Sequence, residues 1–211
     1  MKIAADSRYA LFASGHGSNA RALLEKGFEL QRPASLVIVT NADSSLVSFC
    51  HDQKNRQGSG VEVVLIQSKI KGLDAAFESE VLSCLQKHRI DWVFLAGFLK
   101  ILSANFLSLF KKEAKGQILN IHPSLLPLYP GLGGYKKSYQ NEDKFFGHTI
   151  HFVDEKVDGG AIVRQKKIEA DLNLSLADYS EVGKKEENAS YAKVLEELLL
   201  GTFSVDQSIE V

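Results

Sequence analysis

Five short apolar runs, each set off from the next by a stretch of helical periodicity, constrain this chain more than any other feature. They are YALFAS at 9–14, SLVIVT at 35–40, VEVVLI at 61–66, DWVFLA at 91–96 and QILNI at 117–121. Near-continuous aliphatic and β-branched runs of this length belong to strands covered on both faces, the environment of a parallel sheet between helices. The segments between them supply those helices. Ser18 or Asn19 is placed to cap one running to about Glu29. A second is expected over 45–57, closed by Gly58. Asp74 caps a third to about His88, with Phe77, Val81, Leu82 and Leu85 on one face, and 103–110 makes a short fourth. Strand and helix alternating in this way predict the α/β class, with an open, doubly wound, mostly parallel sheet.

The pattern changes after residue 121. The stretch 123–134 is rich in Pro and Gly and reads as irregular. The runs 147–153 and 161–168 read as two strands with no long helix between them, hence an antiparallel edge. Residues 176–200 carry a helical pattern interrupted near Gly183. A chain of 211 residues is expected to form one domain over 1–211, with an N-terminal half of about 1–100 and a second half of about 101–211. Net charge is −1, so no overall field draws the chain to nucleic acid or to an anionic membrane. The pairs Lys111-Lys112, Lys136-Lys137, Lys166-Lys167 and Lys184-Lys185 read as solvated surface. Cys50 and Cys84 are too few for a disulfide framework, lack metal-ligand spacing, and read as small apolar residues on helices. The apolar start at 9–13 is too short for a signal peptide and no run approaches membrane-spanning length, so a cytoplasmic setting is expected.

Two segments carry the chemistry. SGHGSN at 14–19 falls where a strand hands over to a helix. Unpaired N–H groups and the positive dipole end suit such a turn to an anion, and Gly15 and Gly17 let the backbone approach it. The plain reading, a tight turn with a capping Ser, fits the segment equally well. Its position tips the balance, because ligands of open α/β sheets lie beyond the carboxyl ends of the strands. Further on, Asn120 and His122 stand two apart at a strand end, so both side chains point to one face. Pro123 stops the ladder. Asp158, followed by Gly159 and Gly160, sits in a turn able to return a carboxylate to that edge. An amide donor, an imidazole and a carboxylate suffice for acyl transfer. Taken singly, a strand-end His is structural, Asp-Gly-Gly is a turn, and Asn before a Pro-rich loop satisfies backbone groups. His151 alternates with apolar neighbours, and the pattern leaves its face open. No H-x-E or H-E-x-x-H spacing marks a metal site.

NIHPSLLPLYPG at 120–131, GHTIHFVDEKVDGGAIV at 147–163, AGFLKILS at 96–103 and SGHGSN at 14–19 together resemble the glycinamide ribonucleotide formyltransferases of purine synthesis. The resemblance implies a formyltransferase-like Rossmann variant with a C-terminal helix, acting as monomer or homodimer. It implies formyl transfer from 10-formyltetrahydrofolate, a co-substrate, to the amine of glycinamide ribonucleotide, with no metal and no nucleic acid or membrane partner. Asn120, His122 and Asp158 would be catalytic, with His151 near them. Gly15, Gly17, Ser18 and Asn19 would hold the substrate phosphate, and Glu187 its ribose hydroxyls. The reduced folate would lie against Phe98, Leu99, Lys100, Ile101, Leu102, Val153 and Asp154. The chain departs from the family pattern at Gly133, where a histidine-bearing run is usual, at Lys100, where Arg is usual, and through 183–187.

Overall fold

In a computed structural model, the structure describes residues 7–14, 17–57, 61–67, 73–114 and 117–205, with the side chains of 53–57 and 112–114 outside the description. The strands are β1 (Tyr9–Ala13), β2 (Leu36–Val39), β3 (Glu62–Leu65), β4 (Trp92–Leu95), β5 (Gln117–His122), β6 (Phe145–Phe152) and β7 (Ile162–Glu169). The helices are α1 (Ser18–Glu29), α2 (Ser45–Gln57), α3 (Ala75–Lys87), α4 (Ala104–Ala114), α5 (Gly134–Gln140) and α6 (Leu176–Leu200). All seven strands form one sheet in the order β3-β2-β1-β4-β5-β6-β7. The pairs from β3 through β5 are parallel, and β6 and β7 add antiparallel. The sheet is thus doubly wound and mostly parallel, with the antiparallel edge the sequence pattern predicts.

Every residue of β1, β2 and β4 is buried, as continuous apolar runs require when helices cover both faces. One face packs Leu11, Val37, Phe94, Leu119 and Ile121 with Leu23 and Leu24 of α1 and Tyr191, Val194 and Leu198 of α6. The opposite face packs Phe12, Ile38, Val93 and Ile118 with Phe77 and Val81 of α3 and Phe106 and Phe110 of α4. Each such side chain, fully buried, contributes about 1.5–3 kcal/mol relative to exposure. Tyr191 also reaches through the layer, its hydroxyl donating to the Leu119 carbonyl at 2.9 Å and the Leu95 carbonyl at 3.2 Å.

Four local expectations change. The N-cap of α1 is Gly17 in the left-handed region (φ 66°), and Ser18 and Asn19 are the first helical residues rather than the cap. The exit from β1 needs a positive φ that glycine adopts without strain. Asp74 does cap α3, accepting from the Ala76 and Phe77 amides, whereas the expected stop of α2 at Gly58 lies outside the described residues. Helix α4 extends to Ala114 instead of ending near 110. Helix α5 was not legible as an amphipathic repeat, because aromatic packing specifies it: Tyr135 lies against Phe146, and Tyr139 against Tyr179. Finally, α6 runs unbroken through Gly183. That glycine serves close approach, not interruption: a Cβ there would lie 2.4 Å from Cζ of Tyr135.

Candidate active site

The parallel part of the sheet reverses its winding between β1 and β4, and the segments leaving these two strands meet there. The Ser14 amide donates to the Gly97 carbonyl at 3.2 Å, and the Leu99 amide donates to Ser14 Oγ at 3.0 Å. A crevice at such a switch point, beyond the carboxyl ends of the strands, is where open α/β sheets bind ligands. On one side stands the amino end of α1. Its first intrahelical bond runs from the Arg21 amide to the Gly17 carbonyl, so the amides of Ser18, Asn19 and Ala20 remain at the open end. Gly15, expected in the same anion site, lies outside the described residues.

On the other side β5 ends in Asn120 and His122. The pairing of Asn120 with His151 and of His122 with Thr149 across β5 and β6 puts His151 on the same face, settling the orientation the sequence left open. Asp158 comes from the β6–β7 connection, where it adopts a left-handed φ of 53°. Gly160 lets this connection fold onto the strand end, since a Cβ there would lie 1.8 Å from the Phe152 carbonyl oxygen. The carboxylate then meets the three strand residues. Asp158 Oδ2 lies 3.3 Å from His122 Nδ1, and Oδ1 lies 3.6 Å from His151 Nε2 and 3.5 Å from Asn120 Nδ2. The Gly131 amide donates to Oδ2 at 2.8 Å, tying the Pro-rich loop to the same group.

Hydrogen-bond accounting assigns the protons. His122 Nε2 is 2.9 Å from the Tyr129 carbonyl, which can only accept, and Nδ1 faces a carboxylate. Both nitrogens are satisfied only when the ring carries both protons. His151 Nδ1 is 2.9 Å from the Phe152 carbonyl, and Nε2 is 3.1 Å from Asn120 Nδ2. Burial by itself would push the Asp158 carboxyl up. The hydrogen bonds from His151 and the Gly131 amide, with the charges of His122 and His151, outweigh it and hold it below the usual range.

The residues matched to a folate site divide by exposure. Leu99 (70 %), Ile101 (57 %) and Val157 (53 %) are all exposed apolar side chains. Phe98 is half-buried, stacked on Phe77 and tilted against Phe12, and Leu102 is buried in the same cluster that packs Phe12 with Phe77 and Phe106. Lys100 is half-buried, and Val153 continues the ladder by donating to the Ile118 carbonyl. Asp154 is exposed and accepts from the Lys156 amide.

Glu187 of α6 is buried within the same region. Its Oε2 accepts from Asn19 Nδ2 at 2.8 Å and its Oε1 from the Tyr135 hydroxyl. The Asn19 side chain is therefore turned to α6, and only its backbone faces the open end of α1. Burial raises the Glu187 carboxyl above its ordinary range, against the opposing hydrogen bonds from Tyr135 and Asn19 and the charges of His122 and Lys184. Tyr135 was missed from sequence; its four-residue spacing from Tyr139 on a short helix was the available signal. Among the described residues no group of three His, Cys, Asp or Glu side chains is arranged to hold a metal ion.

An open α/β sheet with an amide, an imidazole and a carboxylate gathered beside a helix amino end defines an acyl-transfer class of enzyme. Residues 7–195 match the profile described as formyl transferase, and the chain belongs to that enzyme family. It is 30% identical over 194 residues to the phosphoribosylglycinamide formyltransferase of Bacillus subtilis, covering 91% of this chain and 94% of that protein. It is 36% identical over 163 residues to the trifunctional purine biosynthetic protein adenosine-3 of Drosophila melanogaster, covering 76% of this chain but only 12% of that protein. The crystal structure of phosphoribosylglycinamide formyltransferase from Bacillus halodurans superposes with a TM-score of 0.80 at 30% identity, covering 92% of this chain and 95% of that one.

Proposed function

We propose that this enzyme transfers the formyl group of 10-formyltetrahydrofolate to the amine of glycinamide ribonucleotide, in the cytoplasm, as a step of purine biosynthesis. The observation that carries the proposal is the convergence of Asn120, His122 and Asp158 at the carboxyl edge of the sheet, beside the open end of α1. In this reading the N-terminal half holds the phosphate at Gly15, Gly17, Ser18 and Asn19, the last through its backbone. The second half supplies the catalytic groups. The folate rings lie on Leu99 and Ile101, with Phe98, Lys100, Leu102, Val153 and Asp154 around them.

The amine lone pair attacks the formyl carbon, and the carbonyl π pair moves onto oxygen. Asn120, swung off His151, and the protonated His122 donate to that oxyanion. One such donor lowers a barrier by about 3 kcal/mol. Asp158 keeps the imidazole protonated and accepts, through water, the proton that the attacking amine must shed. Asp158 passes that proton on, through water, to the folate nitrogen as its bond to the formyl carbon breaks, and the carbonyl re-forms. The products are the formamide and tetrahydrofolate. Holding both substrates in one crevice supplies roughly 7–11 kcal/mol of orientation. The test is consumption of 10-formyltetrahydrofolate by the purified chain. Turnover only in the presence of glycinamide ribonucleotide is expected. Formate release without the amine would make the enzyme a hydrolase and overturn the proposal.

A further inference from the structure

Among the described residues no Lys or Arg forms an ion pair with the buried Glu187 carboxylate, although the Lys184 charge acts on it; its hydrogen-bond partners are two neutral donors, the Tyr135 hydroxyl and the Asn19 amide. A carboxylate that served only to fill space would be replaced at no loss by an apolar side chain. This one is instead held between α1, whose first turn carries Asn19, and α5, which abuts the exit of the strand bearing His122. The abutment is tight: a Cβ at Gly134 would lie 2.1 Å from the Pro123 carbonyl oxygen. The His122 charge is also felt at Glu187. The carboxylate therefore lies between the anion end of the crevice and its catalytic end, where the middle of a phosphorylated sugar would fall. Its two oxygens offer about four acceptor positions, of which the protein uses one on each. One remains on each oxygen, matching the two neutral donors of a vicinal diol.

Tyr135 is built into this arrangement by a second device. Its ring lies where any side chain at 183 would be, 2.4 Å from a Cβ placed on Gly183, and it packs edge-on against Phe146. A bare helix position thus admits the ring, and the ring carries the hydroxyl to Glu187.

We infer that Tyr135 is a positioning residue for the substrate sugar: with Gly183 making room for its ring, its hydroxyl fixes Glu187 so that the carboxylate's remaining acceptor positions take the ribose diol. The inference rests on the proposed formyl transfer and deepens it. Tyr135→Phe keeps the ring and its packing and removes only the donor. It should raise KM for glycinamide ribonucleotide about tenfold, equivalent to about 1.4 kcal/mol, with kcat within about twofold and KM for the folate unchanged. Losing a donor that favours the ionised carboxylate should also move the acid limb of kcat/KM to higher pH. Gly183→Ala should raise the same KM by displacing the ring, and the double variant should be no worse than the poorer single one, because both act on one contact. An unchanged KM and acid limb in Tyr135→Phe, with the wild type turning over normally, would overturn the role of Tyr135 alone. A wild type that does not formylate the ribonucleotide would overturn the function beneath it.

Discussion

Asp158 and Glu187 are two carboxylates at one crevice, and their surroundings push them in opposite directions. Asp158 faces two imidazoles and a backbone amide, and its carboxyl is held low. Glu187 faces a phenol and an amide, and burial holds its carboxyl high. The first environment suits a charge that must stay ionised beside a protonated ring and handle a proton. The second suits an acceptor for neutral hydroxyls. The residue type is nearly the same, and the partners decide the work.

The largest break of this contrast comes from Asp158→Asn. Asn keeps the size, tolerates the left-handed backbone and still accepts from Gly131, but it cannot hold His122 protonated or take a proton. We expect kcat to fall about 10³-fold, within the range for general acid–base groups, with both substrates binding as before by calorimetry. Near-normal turnover would remove Asp158 from the chemistry. Glu187→Gln comes next. KM for the ribonucleotide should rise about tenfold, as for loss of a charge-assisted hydrogen bond, while kcat stays within about threefold. A kcat loss matching that of Asp158→Asn would erase the distinction between the two groups.

Stability against pH sharpens the comparison by sign. A lowered folded-state carboxyl contributes stability that is present above its unfolded value of 3.8 and is lost as pH falls through the folded value. A raised one does the reverse, lowering stability as pH climbs from its unfolded value of 4.5 through the folded one. Denaturant titrations from pH 2 to 7 should show Asp158→Asn less stable than wild type at neutral pH, with that difference closing below pH 3.8. Glu187→Gln should lose the downward slope with rising pH. Slopes of the same sign would mean that the two sites do not differ as described.

The smallest effect isolates burial with no partner. His148 is 1 % exposed, both its ring nitrogens lack a hydrogen-bond partner among the described residues, and burial with the Lys166 charge pushes it down to about 4. Its unfolded value is 6.5, so the unfolded chain binds more protons between these limits. Stability should therefore drop as pH falls from 6.5 toward 4, and His148→Leu should flatten that segment of the curve. An unaltered curve would assign the acid sensitivity to the carboxylates.

Much of this was legible in the sequence for a physical reason. Buried parallel strands announce themselves as unbroken apolar runs, and β1, β2 and β4 fall within a residue or two of theirs. Asn120 and His122 were legible as a pair because strand periodicity fixes their common face. What could not be read were contacts made across the chain. Asn19 lies 168 positions from the carboxylate it binds, Tyr135 52. Gly183, read as a helix break, was left bare for a ring contributed by another helix. No local pattern encodes such a vacancy, and helix α5, whose aromatic residues act through packing on β6 and α6, was missed for the same cause.

Tyr191 carries a last consequence. One phenol bridges carbonyls of neighbouring strands lying 96 and 72 positions earlier in the chain, so the helix carrying Glu187 is bolted to β4, which leads into Phe98, and to β5, which bears Asn120 and His122. Loosening of this helix would then disturb both Glu187 and the strand ends that bear Asn120 and His122, so the proposed sugar contact and the proposed chemistry would be lost together.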